Sequence, residues 1–274
     1  MNAVAIIPAG QETSDEYHRS GAWGSTLISH FLRTPRLAHL IHSGAYRPKP
    51  TAAMQFGTAF HTLMDPGGNF DGLYRIGPDV DHRTKAWKEA VASAEKDGVT
   101  LIGSDDHSDL LAMRASVMNN PVAAHLLEDV EHEVGFRMPS GYGNFMIQCR
   151  ADVFRRGGWM SDLKTCTDLD DFAASVTSWG YYRQAALYRH IVHAATGQWL
   201  PFSFIAVEKT APLYRCRVIE LDDHYLEIGW RECEAALAEI GQRTNANDWD
   251  DHHHAEVLEP PNWMLRSQPL ANVA

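Results

Sequence analysis

The sequence predicts a mixed α/β domain, of the α+β kind, in which helices flank a small central sheet. Three observations support this prediction. Apolar residues recur at helical spacing before residue 130, alternating apolar and polar residues then mark three consecutive strands, and a helix–strand–strand–helix pattern follows. Since 45% of the 274 residues are hydrophobic, the chain can bury one sizeable core, which excludes disordered and fibrous classes.

The first half of the chain is predicted to be helical. Residues 25–41 have apolar positions near helical spacing, and the Thr34-Pro35 pair divides them so that a second helix starts near Pro35. Ala52–Met64 is a predicted helix that ends at Asp65-Pro66-Gly67-Gly68. Residues 69–82 are expected to be loop with short extended pieces. Further helices are predicted at 83–96, Ser104–Asn119 and 122–128.

Alternating residues after position 130 predict an antiparallel meander. The three strands are expected at 131–138, 145–154 and 158–165, with tight turns between them at 140–144 and 155–158. The elements expected after them are a helix at Tyr181–Thr196, strands at 200–208 and 213–220, and a long helix capped by Asp222 that runs to about residue 245.

This pattern predicts one domain with an extension at each end. Residues 1–24 form an N-terminal extension, and the first 16 are expected to be mobile because they are polar and acidic after a short apolar start. Residues 25–246 form the single domain, with a helical part at 25–130 and a βββ-α-ββ-α core at 131–246. Residues 247–274 form an acidic tail.

The charge of the chain argues at first against nucleic-acid binding. The 24 Lys and Arg residues face 35 Asp and Glu residues, which gives a net charge of -11, and phosphate backbones attract basic surfaces. The stretch 18–64, however, contains no Asp or Glu. Its cations are Arg19, Arg33, Arg36, Arg47 and Lys49. We therefore expect a positive face from residues 19–49 near Asp152.

Composition also indicates where the protein works. No apolar run approaches the roughly 18–20 residues of a membrane span, and the N-terminus lacks the basic start of a secretory signal. The four cysteines are far apart and form no CxxC pair. These features predict a cytoplasmic protein with reduced thiols and no membrane partner.

One group of charged residues points to metal chemistry. Asp152 lies near the end of the second predicted strand, and Asp162 and Lys164 lie on the third. Residues i and i+2 of a strand share a face, so Asp162 and Lys164 point one way and Leu163 points into the core. Two carboxylates beside an ammonium are costly unless something organises them, and a divalent cation such as Mg²⁺ would do so.

Three more polar residues could reach the same place. Gln184 and Tyr188 are four residues apart on one face of a predicted helix. His61 lies on the Ala52–Met64 helix, and a neutral imidazole can ligate a metal. Each signal alone is more often an ion pair, a helix surface or a core residue. The ordered set, from histidine through D-L-K to Q-x-x-x-Y, is a much more specific pattern.

This ordered set resembles the PD-(D/E)XK nuclease superfamily, in particular the RecB-like branch with an upstream His and a downstream Q-x-x-x-Y. Four other stretches resemble the exonuclease VIII (RecE) C-terminal nuclease family of bacteria and prophages. These stretches are 25–35, 57–66, 82–88 and 149–152. The resemblance spans about residues 25–240. One departure is Ala151, where the superfamily often has proline.

The resemblance implies a restriction-endonuclease-like fold and a role for each matching residue. His61, Asp152, Asp162 and the Leu163 carbonyl would be metal ligands for Mg²⁺, with Mn²⁺ as a substitute. Lys164 would be the catalytic lysine, and Gln184 and Tyr188 would contact the substrate strand or the metal cleft. An iron–sulfur cluster is not expected, because the number and spacing of cysteines do not match the relatives that carry one.

The resemblance also implies a biological role. Relatives of the exonuclease VIII type degrade linear duplex DNA from 5′ to 3′, form ring-shaped tetramers and often work with a single-strand annealing protein, in recombination, repair or phage DNA metabolism. Candidate DNA contacts besides Gln184 and Tyr188 are Arg33, Arg36, Arg83, Lys85 and Arg150.

Two alternatives remain open from the sequence. The first is a related endonuclease, nickase or single-strand nuclease. The second is a non-catalytic DNA-binding protein that retains the fold. The His-containing tract 250–254 is expected to be a solvated loop or tail, because consecutive positions do not converge on one ion. Trp87, Trp159, Trp179, Trp230 and Trp263 could stack on bases, but most are expected to pack in the core or at an interface.

Overall fold

A computed structural model describes residues 4–251, 257–262 and 264 of the chain. The elements in chain order are β1 (Ala5–Ile7), α1 (Ser14–Arg19), α2 (Ser25–Arg33), α3 (Pro35–His42), α4 (Ala52–Met64), α5 (Phe70–Leu73), β2 (Tyr74–Ile76), α6 (Lys85–Lys96), β3 (Thr100–Ile102), α7 (Ser104–Asn119), α8 (Pro121–Leu126), β4 (Glu131–Pro139), β5 (Met146–Phe154), β6 (Met160–Cys166), α9 (Phe172–Ser178), α10 (Tyr181–Thr196), β7 (Phe202–Glu208), β8 (Cys216–Glu220) and α11 (Asp223–Ala246). Within the described residues, no helix is both long and apolar enough to cross a membrane.

A six-stranded sheet forms the centre of the fold. Its strand order is β1-β4-β5-β6-β7-β8, and every neighbouring pair is antiparallel except β6 and β7, which are parallel. The parallel pair requires a crossover, and α9 and α10 supply it. The predicted mixed α/β class and the three-strand meander are therefore confirmed. A separate small parallel sheet pairs β2 with β3.

Helices cover both faces of the sheet and form two apolar clusters. On one face, α2, α10 and α11 pack against residues such as Phe136, Cys149 and Phe204. On the other face, α4 and α7 pack against Leu163 and its neighbours on β7. Leu163 is 2% exposed and Phe204 is fully buried. Because consecutive strand residues point to opposite faces, Leu163 belongs to the second cluster while Asp162 and Lys164 do not.

Residues 4–16 contain regular structure, so the expectation of a mobile segment is wrong for the described residues. The strand β1 pairs with β4, with Ala5 opposite Arg137 and Ile7 opposite Gly135. A capping box between Thr13 and Glu16 starts α1. A mostly buried ion pair of 2.8 Å joins Glu12 to Arg137. Sheet pairing therefore orders a segment whose local sequence gives little sign of structure. The domain boundaries at 24 and 246 remain predictions.

The chain after α11 folds back on the N-terminal helices. Trp249 stacks on His39, with ring centroids 4.5 Å apart, and on Trp23 at 6.0 Å. Asp250 lies 3.3 Å from the guanidinium of Arg36. The remainder of the predicted tract 250–254, from His252 onward, and Trp263 lie outside the described residues. The start of the tail thus covers part of the predicted basic segment.

Candidate metal centre

The site lies where β5 and β6 separate. Their ladder contains only the pairs Val153–Ser161 and Phe154–Met160, so the strands diverge beyond Ser161. Asp152 precedes this divergence on β5 and Asp162 follows it on β6. The Leu163 N–H, instead of continuing the ladder, donates a 2.8 Å hydrogen bond to Asp152 Oδ2. The gap therefore holds two carboxylates and one backbone amide that secures the first of them.

Asp162 is the most deeply buried charged group in the gap, with a side chain 4% exposed. Gln184 Nε2 donates a 2.5 Å hydrogen bond to its Oδ1. Lys164 Nζ lies 2.5 Å from its Oδ2 in a mostly buried ion pair. Burial raises the pKa of this carboxyl to about 6, although Lys164 opposes the shift.

Lys164 is held between the carboxylates and an aromatic ring. Its ammonium lies 4.7 Å from the ring centroid of Tyr181, the first residue of α10. Burial disfavours the charge, but Asp162 and Asp152 outweigh it and raise the pKa of the lysine. The amine therefore remains charged, as the sequence-based hypothesis of an orienting and neutralising ammonium requires.

His61 reaches the gap from α4. Its Nδ1 lies 3.4 Å from Asp152 Oδ2, and its side chain is 30% exposed. Burial works against protonation of the ring, but the Asp152 carboxylate overrides it and raises the pKa of His61 to about 9. The same contact lowers the pKa of Asp152 against the effect of its burial. The structure thus brings together His61, Asp152, Asp162, Lys164 and Gln184, as the sequence predicted.

Glu133 is a site residue that the sequence analysis missed. It lies on β4 between two ladder pairs, His132–Val153 and Val134–Ala151, and so directly opposite Asp152. Its backbone has a φ of 53°, which is uncommon for a residue other than glycine and is often found at functional sites. Ligand atoms of His61, Glu133 and Asp152 lie within 4.8 Å of one another. The predicted hairpin register was the signal that could have revealed it.

Arg150 holds the Glu133 carboxylate. Its Nε lies 2.7 Å from Glu133 Oε2, and its guanidinium lies over the ring of Tyr17 on α1, 4.8 Å from the centroid. Burial raises the pKa of Glu133 to about 7, with a further contribution from Asp152 that Arg150 opposes. Arg150 was predicted to contact DNA, and in the structure it is 19% exposed and paired.

Tyr188 lies inside the fold. Its side chain belongs to the first apolar cluster, is 7% exposed, and meets Phe202 edge to face at 6.0 Å. Burial raises the pKa of its phenol well above the usual value, and Asp162 and Asp152 add to the shift. Its place is therefore beneath the gap, while Gln184, one turn earlier on α10, reaches the carboxylate directly.

The other predicted DNA contacts differ in their availability. Arg33 and Arg83 are exposed. Lys85 is 88% exposed and lies 3.4 Å from Glu89. Arg36 pairs with Asp250, while its backbone N–H donates to Asp251. Three arginines of the segment 19–49 pair with acidic residues. Arg19 and Arg47 both pair with Asp15, and Arg36 pairs with Asp250. The positive charge of segment 19–49 is therefore partly neutralised.

The residues of the gap suit a hard divalent cation. The buried Asp162 carboxylate pairs with Lys164 at 2.5 Å, and carboxylate oxygens have lone pairs for more than one partner. Carboxylate oxygens and one imidazole are ligands that Mg²⁺ and Mn²⁺ accept. His61, Glu133 and Asp152 already offer three closely spaced ligand atoms. The donor set thus fits the metal that the superfamily resemblance implies.

Comparison with known proteins supports the same conclusion. Residues 24–259 match the model of a family described as "PDDEXK-like domain of unknown function (DUF3799)". The chain belongs to this PDDEXK-like family. The predicted superfamily is therefore confirmed, and membership supports a nuclease. Among curated proteins, no sequence matches the chain significantly.

One solved structure is similar over nearly the whole chain. It is a crystal structure of a "Putative exonuclease" from Eubacterium rectale. The two share 16% sequence identity with a TM-score of 0.66, and the match covers 95% of this chain and 99% of the other. At this identity the likeness concerns the fold, which matches the PDDEXK-like architecture described above.

Proposed function

We propose that this PDDEXK-like protein is a metal-dependent deoxyribonuclease, specifically an exonuclease that hydrolyses phosphodiester bonds of linear duplex DNA. The observation that carries the proposal is the gap between β5 and β6. There Asp152, Asp162 and a charged Lys164 converge with His61 and Gln184. Such an arrangement binds a cation and stabilises charge on a phosphate, which are the two requirements of phosphodiester hydrolysis.

Each residue of the gap has a proposed role. His61, Asp152, Asp162 and the Leu163 carbonyl are the proposed ligands for Mg²⁺ or Mn²⁺, and Glu133 joins them. When bound, the cation polarises the scissile phosphate and lowers the pKa of a water.

The remaining site residues act around those ligands. Lys164 orients the attacking water and neutralises charge that develops on the phosphate. Gln184 fixes the orientation of Asp162 through the 2.5 Å hydrogen bond. Tyr188 supports the floor of the gap from within the core, and its predicted contact with the strand remains a proposal.

Substrate DNA would be bound by exposed cations. Arg33, Arg36, Arg83 and Lys85 are the exposed members of the predicted set. Arg36 and Arg150 would contact phosphates only after giving up Asp250 and Glu133, respectively. The whole chain carries a net charge of -11, which weakens non-specific attachment to DNA.

The finer parts of the proposal rest on the resemblance to the exonuclease VIII family. They are the 5′ to 3′ direction, a ring-shaped tetramer, a single-strand annealing protein as partner, and a place in recombination, repair or phage DNA metabolism. Cytoplasmic location rests on the separated cysteines.

Digestion of end-labelled DNA tests the proposal. Linear duplex labelled at the 5′ or the 3′ end is incubated with Mg²⁺ or with EDTA, beside covalently closed plasmid. We expect metal-dependent release of mononucleotides or short products from linear DNA only, with the 5′ label released first. Cutting of closed plasmid would favour the endonuclease alternative. Absence of hydrolysis on any DNA would favour the non-catalytic alternative.

A further inference from the structure

Trp179 is an exposed aromatic residue two positions before Tyr181, whose ring lies over the Lys164 ammonium. It follows α9 and its side chain is 67% exposed. The other tryptophans considered above and placed by the structure are engaged. Trp87 stacks on His82 at 3.8 Å, Trp230 stacks on His190 at 3.5 Å, and Trp159 Nε1 donates to a backbone carbonyl at 3.0 Å. Trp179 is therefore the most exposed of these four tryptophans.

The turn after α9 places Trp179 close to the catalytic lysine. The Trp179 N–H donates to Ser175 O and ends α9, and Gly180 then reverses the chain with a φ of 70°. A side chain at position 180 would also collide with the guanidinium of Arg183. Tyr181 follows at once, and its ring lies 4.7 Å from Lys164 Nζ. Two residues span at most about 7 Å, so the backbone of Trp179 lies within that distance of Tyr181.

We propose that Trp179 stacks on an unpaired nucleobase of the strand being cut, next to the phosphate held in the gap. This inference rests on the proposed function. In the proposed binding mode the base beside the scissile phosphate leaves the duplex, which frees its face for stacking. The indole offers a flat apolar surface that accepts any base, because every base has a π-face. Trp179 thus anchors the strand end without selecting a sequence.

Trp199 provides a matched control. It is also a half-exposed tryptophan, 50% exposed, but it follows the C-terminal end of α10 and stacks on His193. The 16 residues of α10 separate it from Trp179, which corresponds to roughly 24 Å along the helix axis. Removing Trp199 therefore removes a comparable exposed indole, 50% against 67% exposed, at the opposite end of α10.

The experiment measures binding without cleavage. In a Lys164→Ala background, a fluorescent 2-aminopurine base is placed at the 5′ end of the strand in a duplex with a frayed end. Titration with protein measures the affinity for the DNA, and quenching of the 2-aminopurine fluorescence reports stacking on that base. Trp179→Ala, Trp179→Phe and Trp199→Ala are compared, and each should unfold within about 2 °C of its parent because the side chains are exposed.

We expect Trp179→Ala to bind roughly 5- to 150-fold more weakly, the loss that corresponds to one base–aromatic stack. It should also fail to quench 2-aminopurine. Trp179→Phe should keep quenching and most of the affinity, and Trp199→Ala should equal the parent. Equal binding by Trp179→Ala and Trp199→Ala would overturn this inference alone, provided that wild-type protein cleaves DNA. Absence of both DNA binding and cleavage by wild-type protein would overturn the proposed function with it.

Discussion

Glu133 should contribute to the affinity of the gap for a divalent cation. Its carboxylate shares a 4.8 Å cluster with His61 and Asp152. Its raised pKa, about 7, and its φ of 53° show that the fold holds it there at a cost. Replacing Glu133 with glutamine keeps the shape of the side chain and removes one charge. We therefore expect Glu133→Gln to bind Mg²⁺ or Mn²⁺ less tightly than wild type.

The expected size of this effect follows from the charges in the gap. Three carboxylates, of Glu133, Asp152 and Asp162, face the cations Arg150 and Lys164, so the formal charge is -1 once His61 loses its proton to ligate the cation. Glu133→Gln brings it to zero. Arg150 already offsets much of the Glu133 charge. We therefore expect the dissociation constant for the cation to rise about 10- to 100-fold, or roughly 1.4–2.8 kcal/mol, as when a group that supports metal ligands is removed.

Calorimetric titration with Mn²⁺ at pH 8 measures this difference, because the Glu133 carboxyl is mainly ionised there. Glu131→Gln is the matched control. Glu131 lies two residues earlier on the same strand and pairs with Arg156 at 2.7 Å, away from the gap. Tight metal binding by Glu133→Gln, equal to that of Glu131→Gln and wild type, would refute the argument that Glu133 belongs to the centre.

Three further predictions concern single side chains. Gln184→Ala removes the 2.5 Å hydrogen bond to Asp162, so kcat should fall about 10- to 100-fold with little change in urea midpoint, and an unchanged kcat would count against its positioning role. The Arg215 guanidinium lowers the pKa of Glu208 to about 2. The resulting stabilisation of about 3 kcal/mol is complete above pH 4.5 and is lost as the pH falls towards 2. In urea unfolding, the free energy of unfolding of Glu208→Gln should therefore be about 3 kcal/mol below that of wild type at pH 7, and the difference should be smaller at pH 3. A difference that does not depend on pH would contradict this reasoning. Phe60 is fully buried, so Phe60→Ala should cost about 3–5 kcal/mol in the same assay, and a cost below 1 kcal/mol would mean that α4 is not packed as described.

Periodicity sufficed for most of the fold. The meander and the helices α4 and α10 have apolar patterns that only one type of secondary structure satisfies. The strand β1 has three residues and is ordered by pairing with β4, more than 120 residues away. The helix α9 is short, with two buried residues, Phe172 and Val176. Neither element has enough local signal, since tertiary contacts decide both.

The candidate site was predictable where the signal is local. The D-L-K triplet fixes which side chains share a face, and the four-residue spacing of Gln184 and Tyr188 fixes one helix face. Site contacts that depend on the register between two strands were not predictable from the sequence. Glu133 joins the gap because β4 pairs in one register with β5, and that same pairing turns Arg150 from a candidate DNA contact into the partner of Glu133.

Hydrolysis of linear duplex DNA by Lys164→Ala tests the central claim most directly. In the proposed reaction, Lys164 orients the attacking water and neutralises charge that develops on the phosphate. Lys96, exposed at the end of α6, provides the control variant Lys96→Ala. With Mg²⁺ we expect wild type and Lys96→Ala to digest end-labelled DNA equally, and Lys164→Ala to be slower by at least roughly 100- to 1,000-fold while remaining folded. Digestion by Lys164→Ala at the wild-type rate would contradict the account.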